Sequence, residues 1–282
     1  MPIDLFMIRL LWPVFAYGGI KMRECDIKAS EKDVMLRSIR DMRDYTVYAN
    51  DDEVGKLADI LFDDEKWVVR HFVVDMDDRE VLLSPIAFAA ADWHARILKM
   101  NLTIEQIDNS PDINTDLPIS RQSEKDYYDF YGWPYYWGGI YSWGTGMYPY
   151  QAGIMGVTIQ EGEEPAVELE AETEVEKVET HLRSADEVIG YHVEAMDGSI
   201  GKVEDFIIDD ACFDIKFVAI DTSILWFGKK VLLPPQRIIA VEWPERKIIL
   251  DATKDEVNAA PVWDPSKPVT PAYATELQNH YK

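Results

Sequence analysis

VGKLADILFDD, at positions 54–64, returns as IGKVEDFIIDD at positions 200–210. In both copies the apolar positions, the Gly-Lys pair and the acidic residues fall in the same places. A segment that recurs together with its flanks is a folding unit, so this run predicts two related units in one chain. The 282 residues are enough for two domains of ordinary size, and we expect each unit to bury a core of its own.

The flanks of the repeated run predict short strands joined by tight turns. Asp214 and Lys216 share one face of the next strand, as in a strand that is half buried. The apolar residues of its other face are Phe213, Ile215, Phe217 and Ala219. Gly55 and Gly201 interrupt the central strands, so we expect a β-bulge or a sharp bend at each. Capping-box spacing predicts short helices that begin after Ser38, Thr103, Ser184 and Thr253.

The repeats divide the chain into four parts, for which we predict a mainly β fold of two tandem small β-barrels with short flanking helices. The parts are an N-terminal apolar extension at 1–35, the first repeat at 36–131, a linker at 132–181 and the second repeat at 182–282. Twelve of the 24 residues from 127 to 150 are aromatic. Nine glutamates and one lysine lie between 161 and 180, which is typical of a solvated connection.

The chain is strongly acidic, with 52 Asp and Glu against 28 Lys and Arg and a net charge of −24. Such a surface repels phosphate backbones, and no cluster of basic residues interrupts it, so we expect no direct contact with nucleic acid. The two cysteines, Cys25 and Cys212, belong to different parts of the chain and make no disulfide framework. This usage is typical of a reducing compartment and predicts a cytoplasmic protein.

The N-terminal extension holds an apolar run from position 5 to 20. Arg9 and Pro13 interrupt the run, which is shorter than the roughly 20 residues that a membrane-spanning helix needs. Two interpretations stay open. Either the extension is a weak anchor that holds the protein at the inner face of the plasma membrane, or the folded chain begins at Met35 and the residues before it lie upstream of the true start.

Nothing in the sequence points to catalysis. The acidic pairs at 63–64 and 209–210 lack the glycine and the distal glutamate of an EF-hand loop, so we interpret them as turn residues. The five histidines show no ligand spacing, and His71 is interpreted as a packed, hydrogen-bonded side chain on the inward face of a strand. No nucleophile motif accompanies Cys212 or any serine. We therefore predict no enzyme, no cofactor, no metal and no small-molecule substrate.

The aromatic part of the linker is the best candidate for a partner-binding surface. Tyrosine and tryptophan supply a large contact area with polar tips, which suits protein interfaces and membrane surfaces. The alternative is that this part folds back over the edge of one barrel. In the second repeat, Lys229 and Lys230 follow a smaller apolar loop and would favour an anionic partner. The candidate binding residues are Trp133, Tyr135, Tyr136 and Trp137 in the linker and Leu225, Trp226 and Phe227 in the loop.

Four motifs together resemble the PRC-barrel family. They are Leu-Arg-Ser at 36–38, the strand at 55–64, Val-Leu-Leu-Ser-Pro at 81–85, and Asn-Leu-Thr at 101–103 followed by Ser-Pro-Asp-Ile at 110–113. The resemblance covers both repeats, and the stretch from 131 to 137 is similar to bacterial stand-alone members. The family includes the cytoplasmic domain of the photosynthetic reaction-centre H subunit and the C-terminal domain of a ribosome maturation factor. The resemblance implies a small β-barrel used as a binding module, with no shared catalytic residues.

Two functions are compatible with this resemblance. The first is a non-enzymatic scaffold that binds a protein partner in a membrane-embedded complex, as the H subunit does in the photosynthetic light reaction. The second is a soluble RNA-processing or ribosome-associated adaptor, which at this net charge would act through a basic ribosomal protein. Whether the chain also forms a homo-oligomer is left open.

Overall fold

The structure is a computed structural model, and it describes residues 35–111, 119–137, 149, 181–223 and 228–282. Within these residues the protein is mainly β, with two seven-stranded sheets and a few short helices. The predicted fold class is therefore confirmed. The N-terminal extension up to position 34 and the candidate residues Leu225, Trp226 and Phe227 lie outside the described residues.

In its described residues, the first repeat supplies seven strands, three α-helices and a 3₁₀ turn at Pro85–Ala87. In chain order the strands and helices are β1 (Leu36–Ser38), α1 (Ile39–Met42), β2 (Thr46–Tyr48), β3 (Glu53–Asp63), β4 (Val68–Asp75), β5 (Glu80–Leu83), β6 (Phe88–Asp92), β7 (Ile97–Met100), α2 (Ile104–Asp108) and α3 (Arg121–Tyr131).

The second repeat follows the same order, with its 3₁₀ turn at Pro235–Arg237. Its elements are β8 (Leu182–Ser184), α4 (Ala185–Val188), β9 (His192–Ala195), β10 (Gly198–Asp209), β11 (Ile215–Asp221), β12 (Lys230–Leu233), β13 (Ile238–Glu242), β14 (Lys247–Leu250), α5 (Lys254–Ala259) and α6 (Pro271–His280). All four helix starts predicted from capping-box spacing are confirmed, because each Ser or Thr side chain accepts a hydrogen bond from the backbone N–H three residues later.

Each repeat gives its first strand to the sheet of the other. The strand order is β5-β4-β3-β2-β7-β6 in the first sheet and β12-β11-β10-β9-β14-β13 in the second. Strand β8 of the second repeat pairs with β3, and strand β1 of the first repeat pairs with β10, both antiparallel. The two sheets are thus completed by reciprocal strand exchange within one chain.

Matched polar contacts hold the exchanged strands. Arg37 of β1 pairs with Asp210 at 3.0 Å, and Arg183 of β8 pairs with the equivalent Asp64 at the same distance. A serine at the end of each exchanged strand donates its hydroxyl proton to a carboxylate of the other repeat. These serine–aspartate pairs are Ser38 with Asp205 and Ser184 with Asp59.

The hairpin turns between β3 and β4 and between β10 and β11 also meet across the two repeats. The backbone N–H of Val69 donates to the carbonyl of Phe213 at 2.9 Å, and that of Ile215 donates to the carbonyl of Trp67 at 2.7 Å. Trp67 and Phe213 occupy equivalent positions and have φ angles of 56° and 60°. The turns therefore form a second reciprocal contact, and both bulky residues that form it adopt the left-handed conformation.

The largest hydrophobic cluster of the described residues contains side chains of both repeats. Phe62 of β3 and Phe206 of β10 pack with their ring centroids 5.2 Å apart. Phe72 of the first repeat packs edge-on against Phe213 of the second at 5.5 Å. The expectation that each repeat buries a core of its own is therefore wrong, because strand exchange brings the inner faces of both sheets together. The predicted domain boundaries stay a prediction.

The two glycines of the repeated run confirm the expected bulges. The pairing register shifts beside Gly55 in the β2–β3 ladder and beside Gly201 in the β9–β10 ladder. A further constraint acts on both positions, because a Cβ atom built there would lie 1.9 Å from the carbonyl oxygen of Asp75 or 2.1 Å from that of Asp221. The bulge thus draws a neighbouring strand so close that only glycine fits.

We expect Gly55→Ala to lower the free energy of unfolding by about 2 kcal/mol or more, because backbone atoms must move to admit the methyl group. Gly132→Ala is the matched control. Gly132 has φ of 67°, and a Cβ atom added there would have no neighbour within 4 Å, so only its backbone strain of about 1 kcal/mol is expected. Urea denaturation followed by far-UV circular dichroism measures both. Equal losses in the two variants would contradict the close approach.

Candidate interaction surface

Helix α3 and the residues after it cover the outer face of the first sheet. Ser120 caps the start of α3 by accepting from the N–H of Ser123, and Gly132 ends the helix in the left-handed conformation. This reversal turns the next five residues back along the helix. Tyr127 and Tyr128 of α3 and Tyr136 beyond it are at most 3% exposed. They form a second hydrophobic cluster with Leu61, Val68, Val73, Leu82, Ile86, Ile119 and Leu182.

A buried carboxylate fixes this layer to the sheet. Glu124 of α3 is fully buried, and its two oxygens accept from the Tyr136 hydroxyl at 2.6 Å and from Arg121 at 2.8 Å. The imidazole of His71 lies 3.4 Å from the same carboxylate. Hydrogen bonds to a charged group are among the stronger ones in proteins. The Glu124 side chain therefore connects α3, the segment after α3 and the first sheet.

Two polar residues of β4, Arg70 and His71, lie beneath the aromatic layer, and both are fully buried. Arg70 pairs with Asp63 at 3.1 Å, and its guanidinium lies 4.2 Å from the ring centroid of Tyr136. His71 packs edge-on against Tyr127 and Tyr128. The predicted packed and hydrogen-bonded histidine is confirmed, but its predicted inward direction is wrong. The neighbouring Phe72 enters the shared core, so His71 points to the opposite face of the strand.

Above this buried layer, two stacked ring pairs remain partly exposed. Tyr131 and Trp133 stack with centroids 4.4 Å apart and planes 11° apart, and Tyr135 and Trp137 stack at 4.9 Å and 12°. Phe130, 42% exposed, packs edge-on against Tyr131. These five residues, Phe130, Tyr131, Trp133, Tyr135 and Trp137, form what we call the aromatic surface.

The ionisable groups of the aromatic surface stay in one charge state over the ordinary pH range. Burial raises the pKa of Tyr131 to about 12, and burial together with the hydrogen bond to Asp129 raises the pKa of Tyr135. Burial opposes ionisation of Asp129, but hydrogen bonds from Lys125 and Tyr135 hold its pKa below the usual value. The surface therefore offers neutral phenols, aromatic faces and one carboxylate. These groups suit binding and provide no nucleophile.

The structure brings three of the predicted binding residues together and buries a fourth. Trp133, Tyr135 and Trp137 lie on the aromatic surface, whereas Tyr136 is only 3% exposed beneath it. This arrangement matches the alternative that the segment folds back over a sheet. A partner contact through Tyr136 would require the layer to open. Phe130 and Tyr131 were missed by sequence reasoning, although their position beside the aromatic run was a usable signal.

The lysines expected to favour an anionic partner are engaged within the protein. The ammonium of Lys229 donates to the carbonyl of Ala260 at 2.6 Å, and that of Lys230 lies 2.5 Å from Glu204. Their charge is therefore directed at groups of the second repeat. The positions of Lys229 and Lys230 are therefore explained by their intramolecular partners, and no bound anion is needed to account for them.

Neither the acidic pairs nor the described cysteine supplies other chemistry. Asp63 accepts from the N–H groups of Glu65 and Lys66, and Asp209 does the same for the equivalent turn, so both stabilise hairpins. Burial raises the pKa of Cys212 to about 11, which keeps the thiol protonated. Within the described part of the chain, no three His, Cys, Asp or Glu side chains are arranged to hold a metal ion.

Residues 181–257 match the family model of the PRC-barrel domain. The match begins at the exchanged strand β8 and ends in α5, so it covers most of the second repeat. It does not extend to the first repeat, where a PRC-type barrel stays a prediction. None of the curated proteins matches the chain. Over the residues that the structure describes, no helix is long and apolar enough to cross a membrane.

We expect Tyr136→Phe to lower the free energy of unfolding by about 2 kcal/mol, because it removes a hydrogen bond to the buried carboxylate of Glu124. Tyr135→Phe removes a hydrogen bond to Asp129 at the surface, where water replaces it, so a change within about 0.5 kcal/mol is expected. Urea denaturation of the two variants gives the comparison. Equal effects would show that the Glu124 network does not hold the aromatic layer.

Proposed function

We propose that this chain is a non-catalytic assembly module that binds a protein partner of a membrane-embedded complex through its aromatic surface, at the cytoplasmic face of the membrane. The observation that supports this most is the pair of stacked, partly exposed ring pairs above a buried ionic network. The PRC-barrel match of the second repeat agrees with a binding module of this general kind.

The aromatic surface has the properties of a binding hot spot. Tryptophan and tyrosine are enriched among the residues that contribute most to protein association. Trp133 and Trp137 are each stacked on a tyrosine, and Arg121 lies 4.4 Å from the centroid of Trp137. Rings already held in place lose little conformational freedom when a partner binds, so more of the contact energy remains as affinity.

The net charge of −24 indicates what the partner presents. Cytoplasmic loops of membrane proteins carry an excess of lysine and arginine, and such loops attract an acidic protein. Anionic lipid headgroups would repel it, and Lys229 and Lys230 are directed at groups of the protein itself. We therefore assign the contact to a membrane protein rather than to the lipid surface.

The reaction-centre H subunit provides the resemblance for this role, and the ribosome-associated adaptor is its alternative. Basic ribosomal proteins would be attracted by the same charge. The two functions differ in the fraction where the native protein is recovered, because one predicts membranes and the other ribosomal particles.

Trp133→Ala/Trp137→Ala is expected to reduce recovery of the full-length protein with native membranes about tenfold, since two hot-spot side chains are removed. Removal of residues 1–34 tests the N-terminal extension in the same assay. Met196→Ala/Ile239→Ala is the matched control, because it removes two exposed apolar side chains of the second repeat, 68% and 63% exposed. Sedimentation of cell extracts followed by immunoblotting measures each variant.

Retention of the tryptophan variant on membranes at the unmodified level would overturn the proposal, whether or not the truncated protein is released. Recovery of the native protein with ribosomal particles, and loss of that recovery in the tryptophan variant, would favour the adaptor instead. A loss shared by the control variant would show that general surface apolarity, rather than the aromatic surface, holds the protein on membranes.

A further inference from the structure

The junction between the two repeats is built from pairs of equivalent contacts. Asp205 of the second repeat accepts from the N–H of Arg40 at 3.0 Å. Asp59 of the first repeat accepts from the N–H of Asp186 at 3.1 Å. Each aspartate thus caps a helix of the other repeat, and with the exchanged strands and turns these contacts form a nearly symmetric frame. Such a frame would by itself accept two like repeats as readily as one of each.

The side chains that fill this frame are not symmetric. Phe213 of the second repeat packs against Phe72 and Phe88 of the first, with ring centroids 5.5 and 5.0 Å away. Trp67, at the equivalent position of the first repeat, lies 6.5 Å from Phe206 of the second. The larger ring therefore belongs to one side of the junction and the smaller ring to the other.

Pairing of like repeats would disturb this fit. In a pair of first repeats, Trp67 would take the place of Phe213 against Phe72 and would overfill a packed core. In a pair of second repeats, Phe213 would take the place of Trp67. It would then meet Val218, the smaller counterpart of Phe72, and space would be left unfilled. Only the unlike pair matches in size.

Ion pairs across the junction discriminate in the same direction. Arg40 of α1 pairs with Glu204 of β10 at 2.7 Å. Arg43, which follows α1, pairs with Asp186 of α4. Two arginines of the first repeat therefore face two carboxylates of the second. The arginine side chains are 51% and 53% exposed, so each pair contributes modestly and is screened by salt.

The same positions would carry like charges in a pair of like repeats. Arg40 and Asp186 are equivalent, so Arg43 would face another arginine in a pair of first repeats. In a pair of second repeats, Asp186 would face Glu204. Lys230 lies 2.5 Å from Glu204 within the second repeat and would offset part of that repulsion. The charges thus disfavour both like pairs, and the pair of first repeats more strongly.

The connection between the repeats takes no part in these contacts. Trp137 before it and Leu182 after it pack in the same hydrophobic cluster, so the 43 residues from 138 to 180 join two neighbouring points of the fold. All the contacts described above come from residues outside this connection. A repeat of another molecule can therefore supply them as well as the chain's own.

We propose that the junction is an interface specific for the unlike repeat, and that it also takes the second repeat of another copy of this chain. A first repeat binds the second repeat of its own chain or of a neighbouring copy, and rejects another first repeat. A solvated connection holds the two repeats at an effective concentration on the order of millimolar. Copies therefore exchange repeats near that concentration, or when the connection is cut. The pairing is independent of what the aromatic surface binds.

A protease site introduced after Gln160, and cut once the full-length protein has folded, allows the pairing to be measured. The pieces 1–160 and 161–282 should stay together as a pair of one each in native mass spectrometry. Cut protein carrying an isotopic label is then mixed with unlabelled cut protein, unfolded in urea and refolded. About half of the pairs should combine labelled and unlabelled pieces, as expected for free exchange between copies. Unlike pairs should outnumber like pairs at least about tenfold.

Arg40→Asp/Asp186→Arg exchanges the charges of two equivalent positions. It places like charges across the unlike junction and opposite charges across both like junctions, so the ratio of unlike to like pairs should fall about tenfold at low salt. NaCl at about 1 M should remove most of this fall. Asp264→Lys/Lys267→Asp is the matched control, because it reverses an exposed ion pair within the second repeat and should leave the ratio unchanged.

Trp67→Phe/Phe213→Trp exchanges the two ring sizes in the same way and should lower the ratio at any salt concentration. Pieces that separate after cutting, that fail to reassemble, or that never combine labelled with unlabelled chains would overturn the proposal. Like and unlike pairs in statistical proportion would overturn it as well. An unchanged ratio in Arg40→Asp/Asp186→Arg would reject the part assigned to the ion pairs.

Discussion

The reciprocal exchange of β1 and β8 is the constraint on which the rest of this structure depends. Strand β3 pairs with β2 only along its first part, and β8 of the other repeat fills the edge along its last residues. Strand β10 has the same gap, and β1 fills it. An unfilled edge would leave backbone groups without partners and two aspartates, the partly buried Asp59 and the buried Asp205, without the groups they cap. Neither sheet is complete until both repeats have folded, so the chain behaves as one unit from position 34 to 282.

The exchange also gives a reason for the strained turns at Trp67 and Phe213. The left-handed conformation costs a bulky residue about 1 kcal/mol or more, so it persists only where the surroundings require it. Here it directs each carbonyl at a strand of the other repeat, where it accepts a hydrogen bond, and places each ring in the shared core. Trp67 stacks on Phe62 at 5.6 Å, and Phe213 packs against Phe88 at 5.0 Å. Backbone hydrogen bonds and aromatic burial thus offset the strain on both sides of the junction.

Local elements of this fold, such as bulges and helix starts, could be predicted from the sequence. Which strand pairs with which sheet, and which side chains meet, could not. The bulges beside Gly55 and Gly201 follow from residue type, because a glycine inside a strand commonly marks a bulge or a close approach of another backbone. The exchange of β1 and β8 leaves no trace in the residue pattern, since a three-residue strand looks the same whichever sheet receives it. The prediction that His71 points inward was wrong for a related reason. Both faces of β4 are buried, so alternation no longer identifies the inner one. The high aromatic content of the segment predicted the aromatic surface. The role of Glu124 as its anchor could not be predicted, because the residues that contact Glu124 are brought together only by the fold.

The candidate site arises where the two repeats stop being equivalent. The shared positions of β3 and β10 build a nearly symmetric frame, and the differences cluster on the outer face of the first sheet. Buried Arg70 corresponds to Lys216, whose side chain is 39% exposed and pairs with Asp214. A phenylalanine and an alanine stand in the second repeat where the first has the His71–Glu124 contact, at Phe217 and Ala274. A polar group buried on this face needs a partner on the covering helix. Among the described residues α3 supplies it as Glu124, which also accepts from the Tyr136 hydroxyl and so fixes the rings above it. Duplication therefore accounts for the frame, and divergence of a few polar residues in one copy accounts for the surface.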